Sequence, residues 1–429
     1  MLSAGGNHSQ DWSSSYRLFE EQRINQKELF APAIRGVLGY IGSDEPLFAM
    51  MDDTLKRKRG HKVSGTGWKR DPLGPAFHTN FVWGQRYLQI SAVLPDSRVA
   101  GRARGIPIGF YHAPSAAKPG KRAAPEALDE YKVQQKACKI SVVGANRLAE
   151  FRKQVPDRKI VCAVDGGFTN KEVFQSIPDN TVLIGRIRKD ARLFKVPEKL
   201  TGKYRGRKKY YGDPLSTPEE VRKDESIPWQ TVTAFAAGRL HEFHVKTIGP
   251  VRWKSSKDRD MLIVIIRPLA YRPRKGAKLL YRDPAYLICS DTQLPLAQLL
   301  QAYLWRWEIE LNFRDEKTII GVGEAQVRTA AAVQNLPAFL VASYAFLLLA
   351  AHAANLQPTS LPSAKWYPKK PPDRCSTNTI LALFRFHSWG LNFHSLDSNK
   401  SGFVSNLLEN RNHFFSSHFF TSAVCFAAK

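Results

Sequence analysis

Cysteine is scarce in this chain. Its 429 residues include five, Cys138, Cys162, Cys289, Cys375 and Cys425. The count is odd, the spacing is wide and no two form a CxxC pair. That pattern argues against a disulfide framework or a zinc finger and fits a reducing compartment. Acidic residues are also few, 38 against 64 lysines and arginines, for a formal net charge of +26. An excess of that size calls for a polyanionic partner, and nucleic acid is the commonest. An acidic membrane surface is the rival, but the basic residues are spread along the whole chain and form no juxtamembrane cluster. No apolar signal region appears in the polar start SAGGNHSQDWSSS. The longest apolar run, Phe339 to Ala354, is too short for a membrane span and reads as a buried core helix. The eleven histidines are scattered, and none pairs with a cysteine or serine in a recognisable nucleophilic arrangement. No internal repeat is evident.

What the chain does have is a stretch of unusual composition, Tyr303 to Lys317, reading YLWRWEIELNFRDEK. As one helix it would carry Tyr303, Arg306, Glu310 and Lys317 within roughly 60° of one another on a single face. Glu308, Asp315 and Glu316 would point away from that face. One carboxylate is then bracketed by two cations and a tyrosine. A solvated helix laced with ion pairs is one account. A metal-binding glutamate on a phosphate-binding surface is the other.

Two upstream segments bear on the choice. PLFAMMDDT, Pro46 to Thr54, is an apolar run that ends in two aspartates, as a buried strand delivering a carboxylate at its edge would. RKIVCAVDGGFTN, Arg158 to Asn170, repeats the pattern: an apolar strand, then Asp165, then a Gly-Gly turn. Either aspartate could instead cap a turn. A further strand, TVLIGRIRKD, places Arg186 and Arg188 after Gly185.

Elsewhere the pattern predicts a short helical region over 1–44, a hairpin over Phe77–Leu94 pivoting near Gly84, and a loop over Gly101–Ala123. A long helix is expected over Pro125–Gln154, with Leu128, Tyr131, Val142, Val143 and Leu148 inward. Residues 195–290 read as a β-rich insertion whose GKYRGRKKYYG segment (202–212) suits phosphate contact and stacking. The resulting plan is a helical region (1–44), an α/β core in two parts (45–194 and 291–356) split by the insertion, and a linker and tail (357–429). Two strand aspartates and a helix glutamate in a basic surround suit two-metal phosphoryl transfer. Mg²⁺ takes hard oxygen ligands, and two ions clamp the attacking and leaving oxygens at phosphorus.

The spacing Tyr303-x₂-Arg306-x₃-Glu310-x₆-Lys317 resembles the Y-R-E-K signature of bacterial insertion-sequence transposases of the DDE type, which have an RNase H-like catalytic core. MDDT at 51–54 and VDGGFTN at 164–170 resemble that family's two aspartate strands. The resemblance implies a metal-binding catalytic set of Asp53 (the Asp directly preceding Thr), Asp165 and Glu310, using Mg²⁺ or Mn²⁺, with two ions. It further implies DNA contacts from Tyr303, Arg306, Arg314, Lys317 and Arg186. Arg306 and Lys317 would grip phosphates rather than pair with Glu310. Trp307 would hold a flipped base, aided by an aromatic of the insertion, Tyr286 or Trp253. The implied partners are double-stranded DNA (transposon terminal inverted repeats and target) and a second copy of the chain in a homodimer. The implied location is the bacterial cytoplasm, at the nucleoid. Alternatives are a catalytically inactive DNA-binding derivative and a structure-specific nuclease on the same fold.

Overall fold

The computed structural model describes residues 11–356, apart from 12, 22, 72–73, 75–76, 79, 199–208 and 275, and residues 374–384. Most of the predicted cation–tyrosine segment at 202–212, and of the C-terminal linker and tail, lies outside the described residues.

Two helices open the chain, α1 (Ser13–Glu20) and α2 (Gln26–Leu38). They are followed by β1 (Leu47–Arg57), β2 (Gly67–Arg70), β3 (Phe81–Pro95) and β4 (Ala103–His112). These four strands pair antiparallel, with β3 between β1 on one side and β2 and β4 on the other. Two sequence expectations are corrected here. No hairpin turns at Gly84. The residue sits inside β3, where a side chain would run into the Lys56 carbonyl of the neighbouring strand. Nor is 101–123 a loop throughout, since ARGIPIGFYH is a strand with Ile106, Ile108 and Phe110 in the core. Its glycines and proline suggest a loop. Burial on both faces of the sheet explains why a strand there lacks polar alternation.

The expected long helix is two, α3 (Pro125–Ala137) and α4 (Ile140–Gln154), because Lys139 is extended between them. Of the expected inward face only Leu148 is fully buried, and α3 buries nothing. Next come β5 (Ile160–Val164), the short α5 (Lys171–Phe174) and β6 (Thr181–Arg186). Strands β5 and β6 run parallel to β1, with β5 directly beside it.

The insertion holds β7 (Leu193–Lys195), β8 (Pro214–Leu215), α6 (Pro218–Lys223), β9 (Gln230–Ala236), β10 (Arg239–Trp253), β11 (Asp260–Ile266), β12 (Ala270–Tyr271), β13 (Leu280–Tyr281) and β14 (Ala285–Cys289). It is β-rich as expected, and it continues the core sheet: β14 pairs with β6, β11 with β14, and β10 with β11. The result is a mixed α/β architecture around one 12-stranded sheet.

Three helices close the described core: α7 (Leu296–Trp305), α8 (Trp307–Thr318) and α9 (Ala330–Ala353). Helix α9 is long and apolar enough to cross a membrane. Here it packs as a core helix. Val341 and Ala342 join Phe30 of α2 and Phe110 of β4 in one cluster, and Phe19 of α1 meets Phe339 edge-on. The N-terminal helices are thus an arm on the core. Residues 377–384 are helical, and Thr377 bonds to Asp315 of α8.

Helix α8 is held on β4 through one glycine. The Asn312 side-chain amide donates to the Gly105 carbonyl (3.0 Å), and the Gly105 N–H points at a Glu308 carboxylate oxygen (3.4 Å). A Cβ at Gly105 would lie 2.9 Å from Asn312 Oδ1 and 3.1 Å from Glu308 Cβ. Gly105→Leu should therefore lower the urea-unfolding free energy by about 1–3 kcal/mol, the usual cost of overpacking. An unchanged midpoint would contradict this packing.

Candidate active site

The aspartates reach one place through strand register. Parallel pairing of β1 with β5 runs from Leu47 with Ile160 to Met51 with Val164. One residue beyond the last pair, the same offset sets Asp52 beside Asp165. The expected strand end is half right. β5 stops before Asp165, but β1 continues past both aspartates to Arg57 because β3 still pairs with it there. Successive residues of β1 face opposite sides. Asp52 lies on the side of α8 and Asp53 on the side of Arg86.

Asp52, Asp53, Asp165, Arg306, Glu310 and Lys317 line one cleft of about 1140 Å³. The three carboxylates expected to act together, Asp53, Asp165 and Glu310, are therefore brought to a common space. So are both cations of the signature. Glu308, Asp315 and Glu316 point elsewhere, as the helix geometry predicts. Glu308 pairs with Arg374 (2.9 Å), Asp315 accepts from Thr377 (2.6 Å), and Glu316 is buried near Lys56.

The signature helix is not continuous. It breaks at Arg306, which ends α7 and begins α8 while keeping helical backbone angles. Tyr303 falls before the break and packs against the β6, β11 and β14 core rather than lining the cleft. Arg306 was expected to grip phosphate rather than pair with Glu310, but it pairs with two carboxylates. Its Nη1 lies 2.9 Å from Asp52 Oδ2 and 3.7 Å from Glu310 Oε1. A buried carboxylate needs a counter-charge, and Arg306 supplies it for Asp52. Lys317 has its ammonium 6.0 Å from the Phe313 ring centroid, and burial lowers its pKa.

Other expected contacts are dispersed. Arg314, itself exposed, pairs with its buried neighbour Asp315. Trp307 is 63% exposed. Arg186 lines a second cavity of about 920 Å³, together with Trp253 and Tyr286, across the Asp165–Thr169 turn. Neither insertion aromatic lines the carboxylate cleft. The Tyr286 ring is buried and its hydroxyl bonds Glu219, while Trp253 packs edge-on against Phe174. Sequence reasoning passed over Arg86, whose Nε is 3.2 Å from Asp53 Oδ2. It also set Asp52 aside. Alternation along β1 is the signal that separates the two aspartates.

Burial first, and then the Asp165 charge, push the Asp52 carboxyl up to about 8 against the pull of Arg306. Burial raises Asp53 as well, opposed by Arg86 and reinforced by Asp165 and Glu310. Asp165 Oδ1 accepts the N–H of Gly167 (2.9 Å) and of Phe168 (3.2 Å), which fixes its orientation at the turn. Among the described residues no three His, Cys, Asp or Glu side chains are gathered closely enough to enclose a metal ion. The donor set nevertheless fits a hard divalent cation in kind: Asp165 and Glu310 raise the pKa of Asp52 and Asp53, a negative field that a cation would offset.

No protein-family model matches the chain, and no curated protein matches it either.

The raised Asp52 value has a consequence for stability. The folded chain holds that proton more tightly than the unfolded chain does. The contribution is complete below the ordinary value of 3.8 and is lost as pH rises through about 8. In EDTA, wild type should lose about 1–3 kcal/mol between about pH 6 and about pH 8 that Asp52→Asn retains. Parallel stability curves for the two proteins would contradict the assignment.

Proposed function

We propose that this chain is a DDE-type DNA transposase with an RNase H-like core, catalysing divalent-metal-dependent phosphoryl transfer at transposon ends. The observation that carries this reading is the meeting of Asp53, Asp165 and Glu310 in one cleft with Arg306 and Lys317. Four antiparallel strands, β1 to β4, followed by two that run parallel to β1 are compatible with the implied core. The net charge of +26 suits a DNA partner.

In this reading Asp53, Asp165 and Glu310 would hold the Mg²⁺ or Mn²⁺ ions, and Asp52 serves as the anchor of Arg306. When bound, the ions supply charge for the attacking and leaving oxygens, so no protein nucleophile is needed. Lys317 and the cleft arginines Arg57 and Arg70 bind phosphates and hold the strand in place. Arg306 bridges Asp52 and Glu310 through its Nη1. Asp165 keeps its orientation through the two backbone N–H groups of its turn, leaving Oδ2 for the cleft. The substrates are terminal-repeat and target DNA, and the assembly on paired ends is a homodimer.

A second reading, an inactive DNA-binding derivative, is favoured by one observation: the carboxylates are not gathered around a common point. Cleavage separates the two. A supercoiled plasmid carrying the DNA that flanks this reading frame should be nicked in Mg²⁺ or Mn²⁺. Asp165→Ala and Glu310→Ala should each reduce the rate by roughly two orders of magnitude or more. Undiminished cleavage by those variants would overturn the mechanism. Tight binding without cleavage by wild type would leave the derivative.

A further inference from the structure

An exposed group of aromatic rings stands at one end of the cleft, and the proposed chemistry does not use it. Trp68 of β2 is directly opposite Trp83 of β3, with ring centroids 5.5 Å apart, and His61 lies 4.9 Å from Trp83 on the other side. Register puts Arg70 opposite Phe81, two residues along each strand, so all four project from the same face. Trp68 is 65% exposed and Phe81 55%. The Trp83 ring is fixed by its N–H, which donates to the Gly60 carbonyl at 3.2 Å. Large rings held rigidly in water at one patch mark an interaction surface.

The surrounding charge identifies the occupant. Arg70 of β2 projects from the ring face, Arg59 and Lys62 are exposed in the turn leading to β2, and Arg57 at the end of β1 is exposed and paired with Asp71. Rings interleaved with guanidinium groups suit nucleic acid, where cations track phosphates and rings stack on bases. Paired bases keep their faces inside the duplex, and only unpaired bases can lie on such rings. The patch is also continuous with the cleft, because Arg57, Arg70 and His78 line the same space as the carboxylates.

We infer that the His61–Trp83–Trp68–Phe81 surface is a stacking platform for unpaired bases of a DNA strand that passes through the cleft. The inference rests on the proposed function, since it needs a DNA strand at the carboxylates. It adds a separate surface on β2 and β3 that binds bases without reading their sequence.

The test is fluorescence anisotropy with the full chain, using a labelled oligothymidine of about 20 nucleotides and a labelled duplex of equal length. Trp68→Ala and Phe81→Ala should each weaken oligothymidine binding roughly tenfold, leave duplex binding unchanged and leave the salt slope of both unchanged. Trp68→Phe should restore most of the loss. Both positions are exposed, so circular dichroism should show wild-type folding. Equal oligothymidine affinity in wild type and Trp68→Ala would overturn the platform, as would an equal loss on both probes. A wild-type chain that binds neither probe would instead overturn the proposed function. Intact cleavage combined with unaltered single-strand binding would sink the platform alone.

Discussion

The parallel register between β1 and β5 is the constraint on which the site depends. Five pairs, Leu47 with Ile160 through Met51 with Val164, fix where the two strands lie relative to each other. Their side chains are almost entirely in the core, with Met50, Met51, Cys162 and Val164 fully buried. A slip of one residue would turn every side chain of one strand to the opposite face. The core therefore pins the register, and the register delivers Asp52 and Asp165 side by side. Glu310 arrives by a different route, on a helix held to β4 through the backbone of Gly105. Two independent packing decisions thus meet at one cleft.

That meeting creates an electrostatic problem. Asp52, Asp53, Asp165 and Glu310 share a partly buried space in which Asp165 and Glu310 raise the cost of ionising Asp52 and Asp53. Arg86 and Arg306 answer part of it by pairing with Asp53 and Asp52. The same cleft also carries Arg57, Arg70 and Lys317, so carboxylates and cations line it together. At the cleft wall, Lys56 faces the buried Glu316, and each charge offsets part of the other's burial cost.

Much of this was legible in the sequence, for physical reasons. Apolar runs that end in aspartate gave both site strands, and helical spacing gave the face shared by Arg306, Glu310 and Lys317. The insertion was recognisable as β-rich but not as an extension of the core sheet, because strand partners across β6 and β14 are not encoded locally. Residues 103–112 were hidden by Gly105, Pro107 and Gly109, which read as loop until burial on both faces explains them. The division of labour between Asp52 and Asp53 depends on which face of β1 meets α8, and so does the engagement of Arg306. A single residue of register decides both, and composition says nothing about it. Tyr303 was lost from the face because the helix breaks three residues later, at a position with no proline or glycine to announce it.

The central claim is that the cleft carboxylates form a divalent-cation site. Electron paramagnetic resonance titration of Mn²⁺ reads this directly and needs no DNA. Wild type should bind Mn²⁺ with a site that Asp165→Ala and Glu310→Ala each weaken by roughly tenfold or more, while Glu308→Gln, on the same helix but facing Arg374, leaves it unchanged. Mn²⁺ binding that is indifferent to Asp165 and Glu310 would contradict the account.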